Sequence, residues 1–186
     1  YRRQRQMCIR DRLYIMRHGK TDWNIQHKLQ GHTDIPLNEE GRQMAKQARE
    51  DYLNIPIDIC YCSPLIRARE TAELVLQGRN IPILCDDRLI EMGFGIYEGT
   101  ANCEDIPDCP VGMLFRHPEQ YIARDGAESM QELWERTGQF LSEIVYPQLK
   151  EGKNILIVGH GAMNSSILCQ VTVSYTHLTL PTILLV

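Results

Sequence analysis

Short apolar runs alternate along the chain with longer segments whose apolar positions recur at helical spacing. Leu13-Tyr14-Ile15-Met16, stopped by Gly19, reads as a buried strand. Asn38 offers a helix cap after Leu37, and Met44, Ala45 and Ala48 give the inward face of a helix running to about Tyr52. Ile57 to Cys62 is β-branched and apolar, which predicts a second strand. Ser63-Pro64 then supplies a cap with proline at the first helical position, opening a helix to about Gln77. Ile81 to Cys85 predicts a third short strand, whereas Arg88 to Cys109 is rich in Gly, Pro and acidic residues and reads as loop. Ser129 to Lys150 carries Met130, Leu133, Trp134, Phe140, Leu141 and Ile144 near helical spacing, and Gly152 ends it. Asn154 to Val158 is another buried strand, followed by Gly159-His160-Gly161 and a last helix. Strands alternating with helices imply one α/β domain with a mostly parallel sheet.

Composition narrows the class without changing that picture. Of 186 residues, 43% are hydrophobic and 24% charged, the balance of a folded globular chain. No apolar run approaches the ~20 residues that span a bilayer, and the apolar ending Leu178 to Val186 is short and contains Pro181. The basic start (Arg2, Arg3, Arg5) lacks the long apolar stretch and cleavage site of a secretory signal. The seven cysteines form no C-x-x-C pair. A reduced, cytoplasmic protein that binds no membrane is expected.

Both ends change the charge arithmetic. Arg2 to Arg12 (RRQRQMCIRDR) can be encoded by a DNA strand whose reverse complement encodes Val173 to Thr182 (VSYTHLTLPT). That shared DNA resembles a transposon-type sequencing adapter read from each side, so residues 1–12 and 173–186 are expected to be adapter-derived tails. The native segment would be 13–172, cut short at its C-terminal side. Residues 1–12 carry five Arg and one Asp, and 173–186 no charged side chain, so 13–172 holds 15 basic against 23 acidic residues, a net of −8 rather than −4. Such an acidic surface argues against nucleic acid as a partner.

Ligands of open α/β sheets bind beyond the carboxyl ends of strands. Two apolar strands here end alike, LYIM into Arg17-His18-Gly19 and NILIV into Gly159-His160-Gly161. A lone histidine is more often structural than catalytic; two at equivalent strand ends can be brought together by the sheet. A third strand end leads through Ser63 to Arg67 in the first turn of a helix. Two arginines and two histidines converging in an acidic protein make a phosphate-binding constellation, because arginine donates in a fork and a helix N-terminus adds partial positive charge.

Six ordered segments then carry a family resemblance. RHGKTDWN (17–24) resembles the signature of the histidine phosphatase superfamily, which includes cofactor-dependent phosphoglycerate mutases. QGHTDIPLNEEG (30–41), SPLIRARET (63–71), RLIEMGFGIYEG (88–99), GAESMQELWER (126–136) and VGHGAMN (158–164) follow in the family's order. The resemblance implies a phosphoglycerate mutase-like three-layer sandwich, a sheet flanked by helices, acting on a small phosphorylated substrate without metal or cofactor. It implies His18 as the nucleophile that becomes phosphohistidine. Arg17, Arg67 and His160 would hold the phosphoryl oxygens, and Glu91 would serve as proton donor and then base. Asn24, Thr21 and Gly161 are implied as further substrate contacts, and Arg116 as a contact to the leaving group, against the plainer reading of a solvated Arg116–His117 pair.

Alternatives stay open at this stage. Glu98 competes with Glu91 for the acidic role. His27 and His32 read as exposed, with the pocket mouth as an alternative place for His32, while Trp23 and Trp134 read as packing residues. Cys60 and Cys62 share a strand face as small hydrophobes, and Cys103 and Cys109 lack the histidines of a zinc site. The short stretch between Glu91 and Gly126, with Arg116 and Arg124 but no lysine, favours a phosphomonoester hydrolase over a mutase that must grip a second anionic group. A catalytically silent phosphate-binding module is disfavoured by the joint presence of His18, Glu91 and His160. An incompletely folded fragment with an uncovered sheet edge is the remaining alternative.

Overall fold

Leu13–Arg17 (β1), Ile59–Cys62 (β2), Ile83–Cys85 (β3), Ile155–Gly159 (β4) and Ile183–Leu185 (β5) form one parallel sheet in a computed structural model that describes residues 12–106, 109–174 and 183–185. The strand order is β3-β2-β4-β1-β5, so β4 lies between β1 and β2. Register runs from Leu13↔Ile155 to Arg17↔Gly159 on one side of β4 and from Ile59↔Ile155 to Cys62↔Val158 on the other. Most of the two segments read as adapter-derived, residues 1–11, 175–182 and 186, lies outside the described residues. The backbone of β5 flanks β1, where an uncovered edge had been an alternative expectation.

Alternation along the strands divides the core into two layers, as a two-residue side-chain period requires. Leu13, Ile15, Tyr61, Ile155 and Ile157 face one side, packed with Leu89, Met92, Leu133, Phe140, Met163 and Ile167. Tyr14, Met16, Cys60, Cys62, Leu156 and Val158 face the other, packed with Ala45, Ala68, Ala72 and Val75. The expected three-layer α/β sandwich is therefore present. Helices Glu39–Asp51 (α2) and Ile66–Val75 (α3) cover the second side; Met130–Phe140 (α5) and Gly161–Ser174 (α7) cover the first. Two short helices, Asp22–Ile25 (α1) and Pro110–Arg116 (α4), lie in the connections.

Several boundaries differ from the sequence reading for identifiable reasons. The Asn38 cap is as expected, its Oδ1 accepting from Gly41 N at 2.8 Å. Helix α3 starts two residues later than Ser63-Pro64 predicts, because its cap comes from another segment: Asp34 Oδ1 accepts from Ile66 N at 2.7 Å. The single helix predicted over 129–150 is three pieces, α5, a π-helical turn Leu141–Val145 and Tyr146–Lys150 (α6). Pro147 explains the break, since it has no N–H to donate and its ring crowds the carbonyl a turn earlier. Cys103 and Cys109 are joined in a disulfide with Cα atoms 6.4 Å apart, which departs from the expectation of a reduced protein. A short turn at Cys103–Asp105 brings the chain back so that Cys109 caps α4.

Candidate active site

The ends of β1 and β4 are adjacent and in register, so the two histidines that follow them meet. Their ring centroids lie 5.1 Å apart, tilted at 59°. The turn after β1 is held closely, with His18 N donating to Gly159 O at 2.9 Å and Gly19 N to Thr71 Oγ1 at 3.0 Å. Gly19 allows the approach of α2: a Cβ there would sit 2.7 Å from Gly41 O. His18 Nδ1 lies 2.7 Å from Gly19 O. A carbonyl can only accept, so Nδ1 carries the proton and Nε2 keeps its lone pair.

Arg67 is fully buried, and two of its donors are used to fix it: Nη1 donates to Thr33 O and Nη2 to Gly31 O, both at 2.8 Å. Among the described residues its Nε has no hydrogen-bond partner, and neither do the two ring nitrogens of the buried His160. Thr71 Oγ1 donates to Arg67 O at 2.6 Å while accepting from Gly19, so it couples the first turns of α3 to the loop carrying His18.

Glu91 enters from the loop after β3. Its Oε1 accepts from Met92 N at 2.9 Å and Met163 N at 3.0 Å, and its Oε2 from Ala162 N at 3.3 Å. The carboxyl group thus rests on the N-terminus of α7, positioned by backbone N–H groups that have no partner within the helix. Arg136 clamps the loop by donating to Arg88 O at 2.7 Å and Glu91 O at 3.1 Å, and its own charge is matched by Glu128 at 2.6 Å. Glu98, the competing carboxylate, is occupied elsewhere, accepting from His32 N and Thr33 N at 2.8 Å each.

These groups line a cavity of about 470 Å³ that includes Arg17, His18, Asn24, Arg67, Glu91 and Gly161. His160 lies beneath it against His18. Burial first, then the Arg67 charge, and lastly Arg17 push His18 down to about 3, against the hydrogen bond to Gly19 that raises it. Burial and the charges of Arg67, His18 and Arg17 likewise hold His160 well below the usual imidazole range. Both rings are therefore neutral at physiological pH. Burial lowers Arg67 to about 10, with Glu91, Asp34 and Glu98 acting the other way, which leaves it charged.

Other expected residues are placed differently. Thr21 is fully buried and does not line the cavity; it caps α1, accepting from Asn24 N, while Asn24 Oδ1 accepts from Thr21 N and Oγ1. The cap turns Asn24 toward the cavity with its amide nitrogen unengaged among the described residues. Arg116 is exposed and outside the cavity, its Nε 3.4 Å from Gly112 O, because the face of α4 turned inward carries Leu114 and Phe115 instead. Trp134 is 42% exposed and lines the cavity, a correction to its reading as packing. With Phe94, Leu114, Phe115, Met130 and Leu133 it gives the cavity an apolar wall. Apart from Arg17 and Arg67, Lys28 is the one Lys or Arg lining the cavity among the described residues. Among those residues no group of three or more His, Cys, Asp or Glu is placed to hold a metal ion, and no helix is long and apolar enough to cross a membrane.

Comparison with known proteins agrees with the geometry. Residues 13–180 match the histidine phosphatase superfamily (branch 1). The chain is 34% identical to the uncharacterized phosphatase PhoE of Bacillus subtilis (strain 168), over 85% of this chain and 76% of that one. It is 29% identical to 2,3-bisphosphoglycerate-dependent phosphoglycerate mutase 2 of Gloeobacter violaceus, over 85% and 74%. The solved structure of YhfR from Bacillus stearothermophilus superposes with a TM-score of 0.77 at 33% identity, covering 85% of this chain and 78% of that one. Phosphatases and mutases are thus both among its relatives, and the chain belongs to the histidine phosphatase superfamily (branch 1).

Proposed function

We propose that the protein hydrolyses a small phosphomonoester through a phosphohistidine at His18 Nε2. The observation that carries this reading is the Nδ1–Gly19 O hydrogen bond, which fixes the tautomer and leaves the nucleophilic nitrogen facing a cavity lined by Arg17 and Arg67. In the first step Nε2 attacks phosphorus, the P–O bond to the leaving group breaks, and a proton from Glu91 goes to the departing oxygen. In the second, Glu91 takes a proton from water, whose oxygen attacks phosphorus and returns His18 to its neutral form. Arg17, Arg67 and His160 supply donors where negative charge gathers, and Asn24 adds its amide.

The remainder of the cavity favours hydrolysis over phosphoryl exchange between phosphoglycerates. A mutase grips a carboxylate and a second phosphate, and here the rest of the cavity lining is largely apolar, with Lys28 the one Lys or Arg among the described lining residues besides Arg17 and Arg67. A single phosphate carried on an apolar or aromatic alcohol fits such a wall. A cytoplasmic place belongs to the same reading and is checked by fractionating the host cell.

The test is phosphate release from p-nitrophenyl phosphate and a panel of phosphomonoesters with chelator present, for the wild type, His18→Ala and Glu91→Gln. Release that vanishes in His18→Ala and becomes slow in Glu91→Gln is expected. Silence of the folded wild type, together with bisphosphoglycerate-dependent exchange between phosphoglycerates, would replace the hydrolase by a mutase. Silence in both assays would leave a phosphate-binding module.

A further inference from the structure

Away from the phosphate cavity, the parallel strands β2 and β3 end in a pair of thiols. Cys62 and Cys85 are register partners, and residues directly opposite in adjacent strands point to the same face. Their Sγ atoms lie 3.7 Å apart. Neighbouring strands are about 4.8 Å apart, inside the roughly 4.4–6.8 Å of Cα separation that a disulfide spans. The two thiols differ in access. Cys85 is exposed on β3, whereas Cys62 is fully buried beneath α3. Cys60, two residues earlier on the same face, is opposite Ile83 and is also buried.

We propose that Cys62 and Cys85 form a redox-active dithiol that a hydroperoxide converts to a cross-strand disulfide, with Cys85 as the attacking thiol and Cys62 as the resolving one. The Cys85 thiolate attacks the terminal peroxide oxygen, an S–O bond forms, the O–O bond breaks, and the peroxide leaves as alcohol or water. Cys62 sulfur then attacks the Cys85 sulfenic acid; the S–S bond forms, the S–O bond breaks, and the departing hydroxyl takes the Cys62 proton as water. Two thiols are oxidised and one peroxide is reduced. The order of attack follows from access, and burial, then the neighbouring Cys85, pushes the Cys62 thiol up to about 12, which suits it to the second step. The new bond would tie the two strand ends that run into Ser63–Arg67 and into Asp86–Glu91.

The test treats the reduced protein with hydrogen peroxide, alkylates remaining thiols after denaturation, and maps peptides by mass. The expected product is a linked pair of peptides holding Cys62 and Cys85, two hydrogens lighter and restored by dithiothreitol, with Cys60 still alkylated. Cys62→Ala should leave a Cys85 sulfenic acid that dimedone traps, and Cys85→Ser should abolish the link while reduced turnover is unchanged. Cys85 proceeding to sulfinic acid in the wild type with Cys62 still alkylated, or linking to any other cysteine, would overturn the assignment. The Cys103–Cys109 bond maps to different peptides and does not interfere.

Discussion

Burying two neutral histidines beside Arg67 and Arg17 makes the folded protein acid-sensitive in a predictable window. His18 is held at about 3 in the folded state, against 6.5 when exposed. A depressed histidine binds its proton more readily in the unfolded chain, so stability is complete above the unfolded value and is lost as pH falls below it. Between pH 7 and pH 5 the loss from His18 alone comes to about 2 kcal/mol, since each unit below 6.5 costs up to roughly 1.4 kcal/mol until the folded group titrates. His160 acts in the same direction. The lowered carboxyls of Asp86 and Glu132 lose their contribution at more acid pH, outside this window. Urea unfolding of the wild type and His18→Gln at pH 7, 6 and 5 measures the effect. The wild type should lose about 2 kcal/mol more than the variant across that range, and inorganic phosphate should restore part of it by binding the folded state. Equal pH slopes in the two proteins would refute the reasoning, because His18 would then titrate alike folded and unfolded.

Three further outcomes are expected. A methyl at Gly161 would meet Glu91 Oε2 at 3.6 Å and Arg17 Cζ at 3.7 Å, ordinary contacts, yet would stand in the space between them. Gly161→Ala should therefore fold normally and lose roughly 10²-fold in kcat/KM on p-nitrophenyl phosphate. A methyl at Gly41 would collide with the backbone of Lys20, so Gly41→Ala should lower unfolding stability by about 1–3 kcal/mol in urea titration. Sequencing the source DNA should show the coding frame leaving native sequence beside Leu13 and Thr172; an unbroken genomic frame through Arg2 and Thr182 would remove the adapter reading.

How much of this was legible depends on how far apart the cooperating residues lie. Strands β1 and β4 are continuous apolar runs ending in His18 and His160, so both the sheet and the two rings could be read from local pattern. Glu91 could be preferred over Glu98 only through a family motif; the physical distinction is that Glu98 is engaged by the His32–Thr33 backbone and Glu91 by that of α7. The cap of α3 was invisible locally because Asp34 reaches it from another segment. Trp134 fits the apolar stripe of α5, and nothing in a period distinguishes a buried stripe position from one that walls a cavity. Thr71 and Arg136 carry no chemistry by themselves, so their positioning roles emerge only when their partners are known.

The place of β4 has a consequence for the order in which the molecule can be completed. Both of its neighbours, β1 and β2, precede it in the chain, yet it lies between them. A growing polypeptide therefore cannot close its sheet by pairing strands as they emerge. β1 and β2 must wait unpaired on their facing edges until the segment from Ile155 arrives, and such long-range pairing is slow. Arg17, His18, Arg67 and Glu91 are all synthesised before that moment, but the cavity floor lacks His160 and the Glu91 carboxylate lacks Ala162 and Met163 to rest on. On the proposed function, phosphate affinity would appear only with β4, and ligand binding during synthesis or refolding would report the arrival of that strand between β1 and β2.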